Sequence, residues 1–184
     1  PIREFAFLIE CRPLNFRNDY LRDKEPSRFS PYLLAGAGIF SFDPQAKLDG
    51  QWYSLQPLHT EGQGFASYPE SRPYSLKQKN LLAGGGLQYE INAWLIGRLE
   101  FIHRFLKTDY LDDVSQDYYI DPVYFDQELR ASKARLARQL FDRRAEVDPG
   151  HKHNNYYQRG NPRDKDAYFS FEIGLGFLIG RIRR

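Results

Sequence analysis

Leu81–Ser115 reads LLAGGGLQYEINAWLIGRLEFIHRFLKTDYLDDVS. Three consecutive glycines, Gly84–Gly86, open it, and strict alternation follows. Leu95, Gly97, Leu99, Phe101 and His103 fall on one parity, with Arg98, Glu100 and Arg104 on the other. Successive side chains of a strand point to opposite faces, so one face is apolar and the other ionised. Two arrangements satisfy this pattern. In one, a sheet turns its charged face to water and its apolar face to a core. In the other, the apolar face meets lipid and the charged face lines a barrel.

Four further segments alternate in the same way: Glu4–Arg12, Phe29–Phe42, Asn80–Ile91 and Tyr168–Ile179, with Trp94–Leu106 as the fifth strand. Each is well beyond the ordinary strand of about 5–6 residues. Their length is nearer the about 9–11 residues of a tilted membrane-spanning strand. Connections alternate between the tight turn at Asn92 and long segments, Asp43–Lys77 and Lys107–Asp166, as outer-membrane barrels alternate short turns with long loops.

The chain has 184 residues and a net charge of +2, with acids and bases interspersed. That size suits one domain over residues 1–184, and the charge gives no ground for a nucleic-acid partner. A single cysteine, Cys11, excludes an internal disulfide. No apolar run approaches the roughly 18 residues of a membrane helix. A mean hydropathy of −0.65 does not exclude spanning strands, half of whose residues are polar.

These features predict an all-β fold, a transmembrane antiparallel barrel of eight strands. Five strands are odd where bacterial barrels are even, so N-terminal strands are expected to be missing from this chain. A lumen network is expected of Glu10, Arg12, Glu90, Arg98, Glu100, Arg104 and Glu172, with Glu4 on the same parity. Phe5, Phe7, Leu99, Phe101, Phe169, Phe171, Ile173 and Phe177 are expected to face outer-membrane lipid. The rival is a soluble sandwich or lipocalin-like barrel with its apolar face inward.

The loops carry little chemistry. A helix is expected over about Asp126–Glu146, with Leu129, Leu136 and Leu140 as its stripe among many arginines. Asp109, Asp112 and Asp113 lack the spacing and glycine of a calcium loop. His151 and His153 have no third histidine or cysteine beside them. His103 is followed two residues later by Phe105, so the His–Ser pair of a lipid deacylase does not form. No enzyme activity, cofactor or metal is expected. A lipid-modifying enzyme is the less favoured rival.

The blocks SPYLLAGAGIF, TEGQG, RPYSL, AGGGLQYEI, YLDDVS and RGNPRDKDAYF occur in this order over most of residues 28–179. In them the chain resembles the DUF6089 outer-membrane barrel family, which includes PorG-like components of the type IX secretion system. Near the C-terminus Glu172, Gly174, Phe177 and Ile179 resemble the closing strand of such barrels, although GRIRR follows. The resemblance implies an outer-membrane scaffold of a protein-secretion and gliding-motility assembly, partnered by periplasmic ring proteins. An accessory barrel subunit of another envelope complex is the alternative. Contact with the ring is then expected at the segment after Cys11, through Phe16, Tyr20 and Arg22.

Overall fold

The computed structural model describes residues 1–13 and 28–179. Among these residues seven strands run in chain order: β1 (Ile2–Cys11), β2 (Phe29–Phe42), β3 (Gln45–Leu48), β4 (Gln51–Ser54), β5 (Lys77–Glu90), β6 (Leu95–Leu106) and β7 (Ala167–Phe177). Among the described residues two helices, α1 (Val123–Glu128) and α2 (Ala131–Leu140), precede β7. The strands form a five-stranded sheet in the order β1-β2-β5-β6-β7 and a two-stranded ribbon, β3-β4.

The chain divides into two compact units. The sheet unit comprises the described residues among Glu4–Ile39, Lys79–Leu106 and Ala167–Arg184. Its registers follow the alternation: Gly86 lies opposite Glu100, and Leu99 opposite Ile173, in antiparallel pairs. Tyr32, Leu34, Leu82 and Ile102 pack a small core on one face, with Ala6 and Leu8 beside them. The other unit comprises Pro1–Arg3, Phe40–Gln78 and Lys107–Asp166. Phe125 is fully buried at its centre, edge-on to Phe141 at 5.2 Å and to Phe65 at 6.1 Å. Ala134, Ala137 and Leu140 of α2 face that core at helical spacing.

The expected closed eight-stranded transmembrane barrel is corrected by this architecture. The fold is mixed α/β, with an open sheet in which, among the described residues, β1 and β7 are the edges and do not pair with each other. Alternation assigns residues to faces, but nothing in a single strand's pattern states whether the first strand meets the last. Among the described residues no helix is long and apolar enough to cross a membrane. The single helix expected over about Asp126–Glu146 is two shorter ones, because Leu129 and Arg130 take extended backbone between them. The long loop after β2 contains the β3-β4 ribbon, a pairing that its short, weakly alternating strands do not announce.

Candidate functional site

The polar face of the sheet carries two charge clusters on either side of the Leu34–Leu82–Ile102 core. In the first, Arg104 donates to Glu4 at 2.8 Å and to the Ser170 hydroxyl at 2.8 Å. Asn80 donates to the other Glu4 oxygen at 2.5 Å, and the Arg104 guanidinium lies 5.1 Å from the Tyr168 ring centroid. Glu172 stands 3.9 Å from Arg104, with its side chain half exposed. In the second cluster Glu10 bridges Arg12 and Arg98, both at 2.5 Å. Arg12 also donates to Gln88 at 2.7 Å, and Arg98 lies 3.0 Å from Glu100. Burial alone would raise the Glu10 carboxyl, but its two arginines outweigh that and hold it below its ordinary value.

Tyr32 organises the second cluster. Its hydroxyl donates to Glu100 at 2.7 Å and accepts from Arg98 at 3.0 Å, while the Arg98 guanidinium sits 4.7 Å from its ring centroid. The ring passes over Gly86, where a Cβ would collide with it. The glycine run of β5 therefore makes room for an aromatic from β2. Tyr32, Asn80 and Ser170 were not among the residues expected in this network, although each shares the charged parity. Of the expected set, Glu10, Arg12, Arg98 and Glu100 meet one another, while Arg104 pairs with Glu4 and is reached only loosely by Glu172. For Glu90 the structure gives a backbone bond, its N–H donating to the Arg28 carbonyl at 2.9 Å.

The opposite face is apolar and open. Phe5, Phe7, Leu99, Phe101, Phe169, Phe171, Ile173 and Phe177 are all exposed on it, Phe171 at 75% and Ile173 at 84%. Glu4 on β1 touches Tyr168 on β7, its carboxylate accepting from the hydroxyl at 3.4 Å. The sheet thus curls around its polar face and leaves the apolar face convex. β7 hydrogen-bonds to β6 along one side and to no other strand among the described residues. Glu172 is the one charged residue in β7. Phe16, Tyr20 and Arg22 lie outside the described residues.

The other unit is built on a buried polar node. Glu61 is buried, the Arg159 side chain is 7% exposed, and the two pair at 2.7 Å. The Ser115 and Gln116 amides donate to the Glu61 carboxylate at 3.0–3.1 Å. Arg159 also donates to the Thr60 hydroxyl at 3.1 Å and to the Phe141 carbonyl. Asp113 accepts from Thr60 and from the Tyr74 hydroxyl, both at 2.5 Å. Burial pushes the Tyr74 hydroxyl up, and the adjacent Asp113 adds to it. Burial likewise raises the Asp113 carboxyl against its two donors. The blocks TEGQG, YLDDVS and RGNP, far apart in the chain, meet here. A left-handed Gly64 (φ +81°) turns the first of them.

A second cluster centres on Asp142, whose side chain is 4% exposed. Arg144 donates to both its oxygens at 2.8 and 2.9 Å, and His153 Nδ1 and His151 Nε2 lie 2.9 and 3.3 Å from Oδ2. The Arg144 guanidinium sits 4.4 Å from Tyr119 and 4.8 Å from Tyr157. Burial works to raise the Asp142 carboxyl, but the hydrogen bonds from Arg144 and His153 hold it far below the carboxylate range. His151 and His153 are thereby directed at a carboxylate already neutralised by arginine. Beside them a cleft of about 740 Å³ is lined by Tyr118 and by Lys152–Tyr157.

Compared with family models, curated proteins and solved structures, the chain matches none. The resemblance to the DUF6089 outer-membrane barrels is therefore corrected: no family model supports it, and the sheet is open. With it go the PorG-like scaffold of a type IX secretion and gliding assembly and the outer-membrane location. Those expectations rested on short blocks and on strand length. In the described structure the blocks TEGQG, YLDDVS and RGNP serve a buried hydrogen-bonded node.

Proposed function

We propose that the chain is a non-catalytic interaction module that binds a protein partner by strand addition at the edges of its five-stranded sheet. One observation carries the reading. Among the described residues β7 is a long edge strand with a free side, one charge and an open apolar face. Edge strands are commonly blunted by charge, proline, bulges or a covering segment, because their unpaired amides and carbonyls are a template for another strand. β7 carries none of the first three devices beyond Glu172. A partner strand would satisfy its backbone groups, and alternate apolar side chains would extend the apolar face. Contiguous apolar surface of this kind marks interaction sites. The convex curl favours a partner that continues the sheet over one that stacks flat upon it. Binding in place of catalysis is supported by the engagement of Glu61, Asp113, Asp142 and Arg104 with structural partners.

The test uses a photo-cross-linker at Leu175 in the full chain, expressed in its own cells, with the attached peptides sequenced. The reading expects an alternating apolar segment of a protein, lost in the Ile173→Lys/Leu175→Lys variant while circular dichroism is unchanged. Flotation of the purified chain with phospholipid vesicles, with no protein attached, would make lipid the cover and overturn the reading.

A further inference from the structure

The cleft beside Asp142 has walls of unusual one-sided chemistry. The Asn154 side-chain oxygen accepts from the Tyr156 amide at 2.9 Å, and the Asn155 oxygen lies 2.7 Å from His153 Nε2. The Asn154 acceptor is thus engaged, and the Asn155 amide is committed to the imidazole. The Asn154 NH₂ group and the Lys152 ammonium meet no protein partner among the described residues. Tyr156 is 87% exposed and Tyr118 60%, so two phenol rings stand open at the same site. No carboxylate is among the lining residues. Asp142 is buried behind them and paired with Arg144.

The cleft therefore offers donors, a cation and flat aromatic faces. A ligand that fits must be rich in acceptors, carry an apolar face able to lie on a ring, and bring negative charge or none. Its volume falls in the range of small-molecule sites, about 300–1,000 Å³. The recognition segment is also held in shape before any ligand arrives. His153 is fixed at both ring nitrogens, by Asp142 and Asn155, and Tyr157 covers the Arg144 guanidinium. Pre-ordered side chains lose less freedom on binding. We infer that this cleft binds an acidic saccharide, with sugar C–H faces on Tyr156 and Tyr118, ring and hydroxyl oxygens on the Asn154 amide, and a carboxylate on Lys152. This site belongs to the helical unit and does not depend on strand addition at β7.

Titration calorimetry of the full chain with oligogalacturonate, and with maltohexaose as the neutral counterpart, tests it. The expected result is binding of the uronate, weakened ~10-fold or more by Lys152→Ala, as loss of a charge-assisted hydrogen bond implies. Tyr156→Ala should abolish it, and the exposure of Tyr156 keeps that variant folded. Equal binding of the neutral hexasaccharide would overturn the acidic specificity. Absence of binding, or binding unchanged in both variants, would overturn the site. Neither result touches the β7 cross-linking experiment.

Discussion

At the scale of single residues, Glu61 and Arg159 are the most exacting pair in the chain. Both are withdrawn from water, and each satisfies the other along with backbone groups from two distant segments. Glu61→Ala leaves the guanidinium buried without its counter-ion, which is expected to cost ~3–5 kcal/mol. Urea unfolding followed by tyrosine fluorescence measures it, and a loss below about 1 kcal/mol would show the node to be hydrated and dispensable. Asp142 makes a separate prediction about acid. Its folded carboxyl titrates below its unfolded value of about 3.9, so the unfolded chain takes up the proton first. Its contribution is whole above that unfolded value and drains away as the pH falls below about 4. Melting temperature against pH should therefore fall less steeply below pH ~4 in Asp142→Asn than in the parent.

At the scale of elements, the sheet is specified by what each strand shows to each side. β5 meets β2 closely because Gly86 leaves space for the Tyr32 ring. Gly86→Ala should overpack that contact by about 1–3 kcal/mol and pull the Tyr32 hydroxyl away from Glu100. A tyrosine titration shifted from that of the parent would report the displacement. β7 makes the contrasting case. Phe171 is mostly exposed, so Phe171→Arg in the isolated chain should change stability by no more than about 0.5 kcal/mol. A membrane-embedded position at the midplane would cost ~2–4 kcal/mol for the same change. Denaturant unfolding of the purified variant separates the two outcomes. The interruption between α1 and α2 is likewise local, since the extended Leu129 and Arg130 end one helix and start another.

At the scale of the whole molecule, the sheet unit has buried one face of its apolar residues and left the other open. A sheet commonly covers its apolar face with another layer. Here the polar face instead curls upon its own ion pairs, and the convex apolar face has no layer of this chain over it among the described residues. The isolated chain should accordingly bind an apolar-sensitive dye strongly, as open hydrophobic surface does. Ile173→Lys/Leu175→Lys should reduce that signal, and an unchanged signal would place the dye elsewhere. A strand-adding partner binds the native state alone, so it should also raise the melting temperature with the logarithm of its excess over Kd.

The strands themselves were legible in the sequence. Period-two alternation located β1, β2, β5, β6 and β7 and divided their residues between a charged and an apolar face, because neighbouring side chains of any extended chain must point oppositely. The charged parity also drew together Glu10, Arg12, Arg98, Glu100 and Arg104, whose pairing follows once their strands are neighbours. Tyr32, Asn80 and Ser170 were not legible, since an uncharged side chain on the polar parity announces no partner. Nor was the node of Glu61, Asp113 and Arg159, which joins positions far apart through loops that have no periodicity to read. Closure of the sheet is not legible for a related reason. Alternation is a property of each strand alone, whereas the meeting of β1 with β7 depends on the accumulated curl of five strands and on what lies at each edge. The sequence by itself determined which residues share a face, through the geometry of the extended chain. Only the tertiary structure decided what that face meets, because contacts between distant segments follow from packing and curl that no local pattern encodes.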